Sequence, residues 1–481
     1  MRFDWDILDS LLRKTLSDFS MAGVSVSVRD GEKEYHSASG LSNIEAGISS
    51  SPDTVYGIAS SSKAFTATGI GILADRGLLD LDDTVIKHLP DFRMYDPYVT
   101  ENLTIRDILC HRCGLPRHDF MLELRADDGP EEIVHALRCL KPAHPFRYRF
   151  NYQNHMFGLA AFLVEKISGE SFEDFITENI FRPLGMDSSY VFGDRLADDT
   201  PVKSVPYSFS SGKFTRVPWN YGHPDTGAGC VYSSTRDMLK WLRFRIKGDE
   251  RLLSDSMRRE LQSPQMLIKP GELTAFDCPE KTSSAYGMGW LIESYQGITI
   301  IHHSGAINGY RSGQLFVPEK DIAISILTNS ASTDGKDALL YTLLDLLLGL
   351  PDGNWTARYK KAAAALTEGF EKRKAHWKAA AESTASNAFS PEEYAGRYRD
   401  PGYGELVLTS SGDSLTALVN KAEYPLIHLG RDRFVLVFDR WLEAFDIVFA
   451  RDAAGRISGV DVFCEPALQD DPVRFEPIGG R

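Results

Sequence analysis

No run in these 481 residues is apolar for long enough to cross a bilayer. The most apolar stretch, "ALLYTLLDLLLGLP" from Ala338, is too short and carries Asp345. The opening "MRFDWDILDSLLRK" meets acidic residues within four positions, so it lacks the basic n-region and apolar h-region of a secretory signal. A cytoplasmic protein is expected, with no membrane partner. Basic charge is also short: 53 Lys and Arg stand against 67 Asp and Glu, a formal net charge of -14. That balance argues against a nucleic-acid footprint or an anionic membrane surface as partner. Cysteine is sparse, with six residues at 110, 113, 139, 230, 278 and 464. Only "CHRC" brings two together, and no second ligand pair follows at zinc-site spacing, so buried thiols are expected rather than a metal centre. A Gly-x-Ser-x-Gly elbow, a His-Glu-x-x-His motif and a phosphate loop are all missing.

What is present divides the chain. Its length calls for two or three domains. "DWDILDSLLRKTLSDF" has helical spacing, and "GVSVSVRDGEKEYHSASG" reads as two strands around a tight Asp-Gly turn. Residues 64–79 are helical, with Gly77 near the C-cap. From about residue 81 to 267 the chain is mostly helix and loop, with one strand-like patch, "SVPYSFSSGKFTRVPW". Residues 286–329 read as three or four strands joined by the turns "QG", "NGY" and "PEKD", and a helix follows over about 335–350. Strands at both ends with helices between predict an α+β fold, an antiparallel sheet flanked by helices with a helical lobe inserted. Residues 351–388 read as a charged helix and linker. Residues 389–481 alternate with period two between glycine turns, which predicts a small all-β barrel. The expected units are therefore 1–350, 351–388 and 389–481.

Three stretches carry candidate chemistry. Ser60 and Lys63 in "YGIASSSKAF" are three residues apart at a helix start, where i and i+3 share a face and the N-terminus favours developing negative charge. A lysine there accepts a proton only when neutral, which requires desolvation or a neighbouring cation. The same spacing recurs at Ser210 and Lys213, but in a hairpin turn, so that match is set aside. Tyr152 and Asn154 in "NYQNHMFGL" offer a phenol for proton relay and an amide for a carbonyl. His303-Ser304-Gly305 ends a strand in small residues, so a substrate backbone can lie along its edge. His302 points to the opposite face.

In that order, Ser-x-x-Lys, Tyr-x-Asn and His-x-Gly resemble the serine hydrolases built like class C β-lactamases and penicillin-binding proteins. The group takes in peptidase family S12, family VIII esterases and D-aminopeptidases. "LTIRDILCHRCGLPRHD" and "GAGCVYSSTRDMLKWL" are similar to recurring segments of that family, over residues 8–350. "YAGRY" and "GYGELVL" resemble the lipocalin-like module that follows the catalytic domain in some S12 peptidases. The resemblance implies a β-lactamase/transpeptidase-like fold with Ser60 as the acylated nucleophile. Lys63 and Tyr152 would be the proton-transfer pair, with the choice of base open. Asn154 would orient the acyl side, and the N–H groups of Ser60 and Ala306, beside His303 and Gly305, would form the oxyanion hole.

One departure matters. The family's β-lactamases carry Lys-Thr-Gly at the third motif, and His303 is a cation only partly at neutral pH. This favours an amidase or peptidase on D-amino-acid or glycine amides, with a small-molecule or peptide substrate. The same acyl-enzyme would serve a carboxylesterase, or an acyltransferase or peptide cyclase, and weak β-lactamase activity is compatible with it. A binding protein that merely keeps the fold is the reading from another class. No cofactor is expected, because serine and backbone amides suffice. Assembly into a homo-oligomer is left open, and substrate-specifying loops are expected in "RHDFMLELRADDGPEE" and "PQMLIKPGELTAFDCPEK".

Overall fold

Alternation of valine and serine along Gly23–Asp30 (β1) puts Val24, Val26 and Val28 on one face and Ser25 and Ser27 on the other. Both faces are buried. The structure, a computed structural model, describes residues 7–192, 202–218, 226–273, 278–331, 334–384, 390–439, 442–469 and 471–479. β1 lies inside a nine-stranded antiparallel sheet. Its other strands are Lys33–Asn43 (β2), Ile48–Ser49 (β3), Met266–Leu267 (β4), Lys281–Tyr286 (β5), Leu291–Tyr295 (β6), Ile298–Ile307 (β7), Tyr310–Val317 (β8) and Ile322–Thr328 (β9). The order β3-β2-β1-β9-β8-β7-β6-β5-β4 sets the N-terminal hairpin beside the last strand of the later meander. Val26 pairs with Ile326, for example. Strands far apart in the chain thus complete one sheet.

Helices cover its two faces. Leu8–Phe19 (α1) and Asp334–Leu348 (α2) bury Leu8, Leu12, Leu339 and Leu343 against the valine face. The serine face is flatter, and Thr235–Lys247 packs on it with Trp241 and Leu242 fully buried. Between these layers runs Lys63–Asp75, nearly all buried, packed on the apolar His155–Ser168 of the helical lobe. The helix expected over 64–79 is shorter: it ends at Asp75, and Gly77 turns the chain at φ +71°. The strand-like patch is a hairpin, Tyr207–Ser210 with Lys213–Arg216, so Ser210 and Lys213 flank its turn.

After the sheet, Trp355–Thr384 forms a 30-residue helix. Trp355 and Tyr359 stack on Tyr341 of α2 at one end. Midway along the helix, Phe370 packs on Val435 and Val437 of the C-terminal barrel. That barrel is closed and antiparallel, eight strands in chain order from Gly396–Asp400 to Val473–Pro477. Period-two alternation explains both of its surfaces: Phe434, Leu436 and Phe438 fill the interior while Val435 and Val437 face the helix. Among the described residues no helix is long and apolar enough to cross a membrane.

Phe370→Ala is expected to destabilise the protein by about 3–5 kcal/mol, the usual cost of truncating a buried aromatic. Urea unfolding followed by far-UV dichroism measures it. An unchanged midpoint would show that the helix does not seat on the barrel.

Candidate active site

The three consecutive serines have separate tasks. Ala59–Ser62 is a single 3-10 turn that leads directly into the Lys63–Asp75 helix. Ser61 Oγ meets Ser312 Oγ at 2.9 Å, and Ser62 Oγ accepts the Val231 N–H at 3.0 Å, so these two stitch the turn to its neighbours. Only Ser60 of the three is not fully buried. Ala59 sits at φ +49°, a left-handed conformation that costs on the order of 1 kcal/mol and holds the turn tight. β7 passes close against this turn. A Cβ on Gly305 would lie 2.1 Å from the Ile58 carbonyl oxygen and 2.9 Å from Ser60 N, so no side chain fits there.

Lys63 is buried and reaches three acceptors. Its Nζ lies 3.1 Å from Ser60 Oγ, 2.8 Å from Asn154 Oδ1 and 3.1 Å from the Ala228 carbonyl. Asn154 is fixed in turn, because its Nδ2 donates to Asp119 Oδ1 at 2.9 Å, and Asp119 also accepts from Arg117 Nε at 2.6 Å. Asn154 therefore spends both ends of its amide on the protein. Tyr152 comes to Lys63 by its ring face, 4.9 Å from Nζ to centroid, and no hydrogen bond joins the two. The Arg117 guanidinium covers the ring at 5.0 Å.

His303 lies on β7, facing this cluster. Its Nδ1–H donates to the Ser304 carbonyl at 2.6 Å, and its Nε2 accepts from Tyr286 O–H at 3.0 Å. Burial and the nearby Lys63 charge push its pKa from 6.5 down to about 3, so it is neutral at physiological pH rather than partly cationic. Burial raises the Tyr286 phenol well above its ordinary value, which keeps it a donor. His302 points the other way, to Glu293 at 2.7 Å.

The structure thus brings Ser60, Lys63, Tyr152, Asn154, His303 and Gly305 together, with Ala306 next along the strand. Arg117 and the Ala228 carbonyl join this cluster without a mark in the sequence, and so do three further residues. Asp119 fell inside a stretch read as a specificity loop. Tyr286 was read only as the start of a strand. His111 lies inside "CHRC", between two buried cysteines; its ring packs on Tyr152 and Tyr286 at 4.4 and 4.5 Å, and it accepts the Gln153 N–H. Cys110 and Cys113 are buried, and burial pushes both thiols up to about 12.

Residues 8–348 match the Beta-lactamase family, and residues 380–477 match a domain of unknown function, DUF3471. The unguisins hydrolase ungD' of Aspergillus campestris is 29% identical over 414 residues, covering 83% of this chain and 76% of that protein. Among solved structures, the octameric penicillin-binding protein homologue of Pyrococcus abyssi superposes with TM-score 0.65 at 25% identity, over 98% of this chain and 100% of that one. The D-amino acid amidase of Ochrobactrum anthropi shares the fold, with TM-score 0.57 at 24% identity over 71% of this chain and 97% of its own.

Buried neutral histidines make the site acid-labile. His303 falls from 6.5 to about 3 on folding, and His118 to about 4, so the unfolded chain binds more protons between those values. The stability these two histidines contribute is therefore fully present above about pH 6.5 and lost as pH falls toward 3. Urea midpoints should decline through that window, less steeply in His303→Gln. A decline identical in the variant would show that His303 does not contribute.

Proposed function

The chain belongs to the Beta-lactamase family, and on that premise we propose that it is a serine hydrolase forming an acyl-enzyme on Ser60, acting on amides or peptides of D-amino acids or glycine. One observation carries this reading: the disposition of acceptors around Lys63 Nζ. Ala228 O and Asn154 Oδ1 are both acceptors only, the second because Nδ2 is committed to Asp119. A neutral amine gives one N–H to each of them. Lys63 Nζ meets Ser60 Oγ as its third partner at 3.1 Å, so an amine that has given up a proton turns its lone pair toward that hydroxyl, as a base for it requires.

In the acylation step Ser60 Oγ attacks the substrate carbonyl while its proton passes to Lys63. The N–H groups of Ser60 and Ala306 receive the oxyanion as the tetrahedral intermediate forms. Collapse breaks the C–N bond, and the leaving amine takes a proton through the Tyr152 phenol, which is reloaded from Lys63 once the ring turns its hydroxyl toward Nζ. Water then attacks the acyl-Ser60 ester with Lys63 again as base, which restores the serine. Asn154 acts here as the residue that aims Lys63, a different task from holding the acyl side of the substrate.

The substrate class rests on what the site lacks. His303 is neutral and its ring is engaged at both nitrogens, so it offers no cation to a substrate carboxylate, and the Lys336 ammonium behind Ser304 is buried and paired with Asp337. This favours amides and internal peptide bonds over β-lactams or free C-termini. The likeness to an unguisins hydrolase supports hydrolysis as the reaction.

Two outcomes test this. Lys63→Ala should lower kcat/KM between about 100- and 10,000-fold, the range for loss of a positioned base. Near-normal turnover in that variant would remove Lys63 from proton transfer. With matched D- and L-aminoacyl nitroanilides, nitroaniline release should be confined to the D and glycine forms and vanish in Ser60→Ala. Equal release from the L form would overturn the substrate assignment and leave the nucleophile intact.

A further inference from the structure

We infer that the C-terminal barrel is a positioning element of the catalytic centre, acting through His118, the residue that sets Asp119 against Asn154. This rests on the acyl-enzyme reading above and adds the barrel to its machinery. His118 is 2% exposed and adopts a left-handed backbone at φ +50°, ψ +27°, immediately before the short helix Asp119–Leu124. A non-glycine residue holds that conformation only where its surroundings over-determine it.

Four hydrogen bonds do so. The lobe supplies two: His118 Nε2–H donates to the Lys141 carbonyl at 2.9 Å, and the His118 carbonyl accepts from His155 Nε2–H at 3.2 Å. The barrel supplies the others. Tyr403 O–H donates to His118 Nδ1 at 2.6 Å, and the Glu465 carboxylate accepts the His118 N–H at 2.8 Å. Because Nε2 faces a carbonyl it must carry the ring proton, so Nδ1 is free to accept only from Tyr403. On the other side of Asp119, Phe120 is seated among barrel aromatics, 5.1 Å from Phe445 and 6.1 Å from Phe438. Barrel groups therefore grip the residues immediately before and after the carboxylate that orients Asn154.

The consequence is a directional chain. Tyr403 and Glu465 fix His118, which aims Asp119; Asp119 holds the Asn154 amide, and Asn154 Oδ1 fixes one N–H of Lys63. Without the barrel partners the buried His118 N–H and Nδ1 lose their hydrogen bonds, and the left-handed turn can relax. Asp119 then leaves Asn154, whose amide is free to rotate, and Lys63 Nζ is no longer held toward Ser60. Substrate contacts elsewhere are untouched, so the loss falls on kcat rather than KM. Other contacts between barrel and lobe bypass this chain. Lys421 with Asp127 at 2.7 Å is an exposed ion pair of that kind.

The test is the pre-steady-state burst of nitrophenol from p-nitrophenyl acetate, an activated ester that reports acylation of a reactive serine directly. It compares full-length wild type, Ser60→Ala, Tyr403→Phe, Asp119→Ala, Asp119→Asn and Lys421→Ala. Tyr403→Phe keeps the ring and removes only the donor, so melting should change little. Its burst rate should fall about 10- to 100-fold with KM nearly constant, the scale of a small misplacement of a reacting group. Asp119→Ala should match or exceed that loss, and Asp119→Asn, which keeps an acceptor for Asn154, should recover most of it. Lys421→Ala should behave as wild type. An unchanged burst in Tyr403→Phe, or an equal loss in Lys421→Ala, would overturn the inference while leaving the acyl-enzyme intact. Absence of a Ser60-dependent burst in wild type would instead overturn the acyl-enzyme reading itself.

Discussion

The site depends on two carbonyl oxygens that hold a buried amine. Lys63 Nζ is confined between Asn154 Oδ1 and Ala228 O, and its remaining direction runs to Ser60 Oγ. Burying a lysine is costly unless its protons find acceptors, so these two oxygens stabilise the side chain as well as aim it. Everything nearer the surface serves that arrangement. Ser61 and Ser62 are used up in pinning the turn, Gly305 lets β7 approach to van der Waals contact, and Asn154 is presented from the N-cap of the His155–Ser168 helix.

Long-range pairing makes this economical in sequence and demanding in fold. Ser60 and Lys63 are neighbours, but Asn154 lies 91 positions beyond Lys63 and Ala228 lies 165 beyond it. The sheet fixes β7 beside the turn, the lobe fixes Asn154, and the barrel reaches the same point through the hydrophobic cluster shared by Phe120, Tyr403 and Phe438. The long helix Trp355–Thr384 spans from the back of the sheet to the barrel wall, so the barrel is braced at both ends of its attachment. A module appended to a catalytic domain thereby gains contact with the residue next to Asp119.

Reading the sequence succeeded where the signal is periodic. Alternation in "GVSVSV" and "RFVLVF" reveals strands, and i, i+3 spacing places Ser60 beside Lys63 because a helix start permits nothing else. It failed where contacts cross the chain without a pattern. Asp119 meets Asn154 across 35 positions and Tyr286 meets His303 across 17; nothing local marks either residue. His111 was hidden by the cysteines around it. The partial charge expected of His303 from its ordinary pKa disappears because burial and Lys63 together depress it, a tertiary effect that composition does not carry.

An acyl-enzyme requires the acyl carbon of the substrate to become covalently attached to Ser60 Oγ. Acid quenching during turnover of a D-aminoacyl ester, followed by proteolysis and mass spectrometry, tests it most directly. The expected result is one acyl group on the peptide carrying Ala59–Ser62, with fragmentation assigning it to Ser60. An adduct on another residue, or steady turnover with no trapped adduct under conditions where deacylation limits the rate, would contradict it.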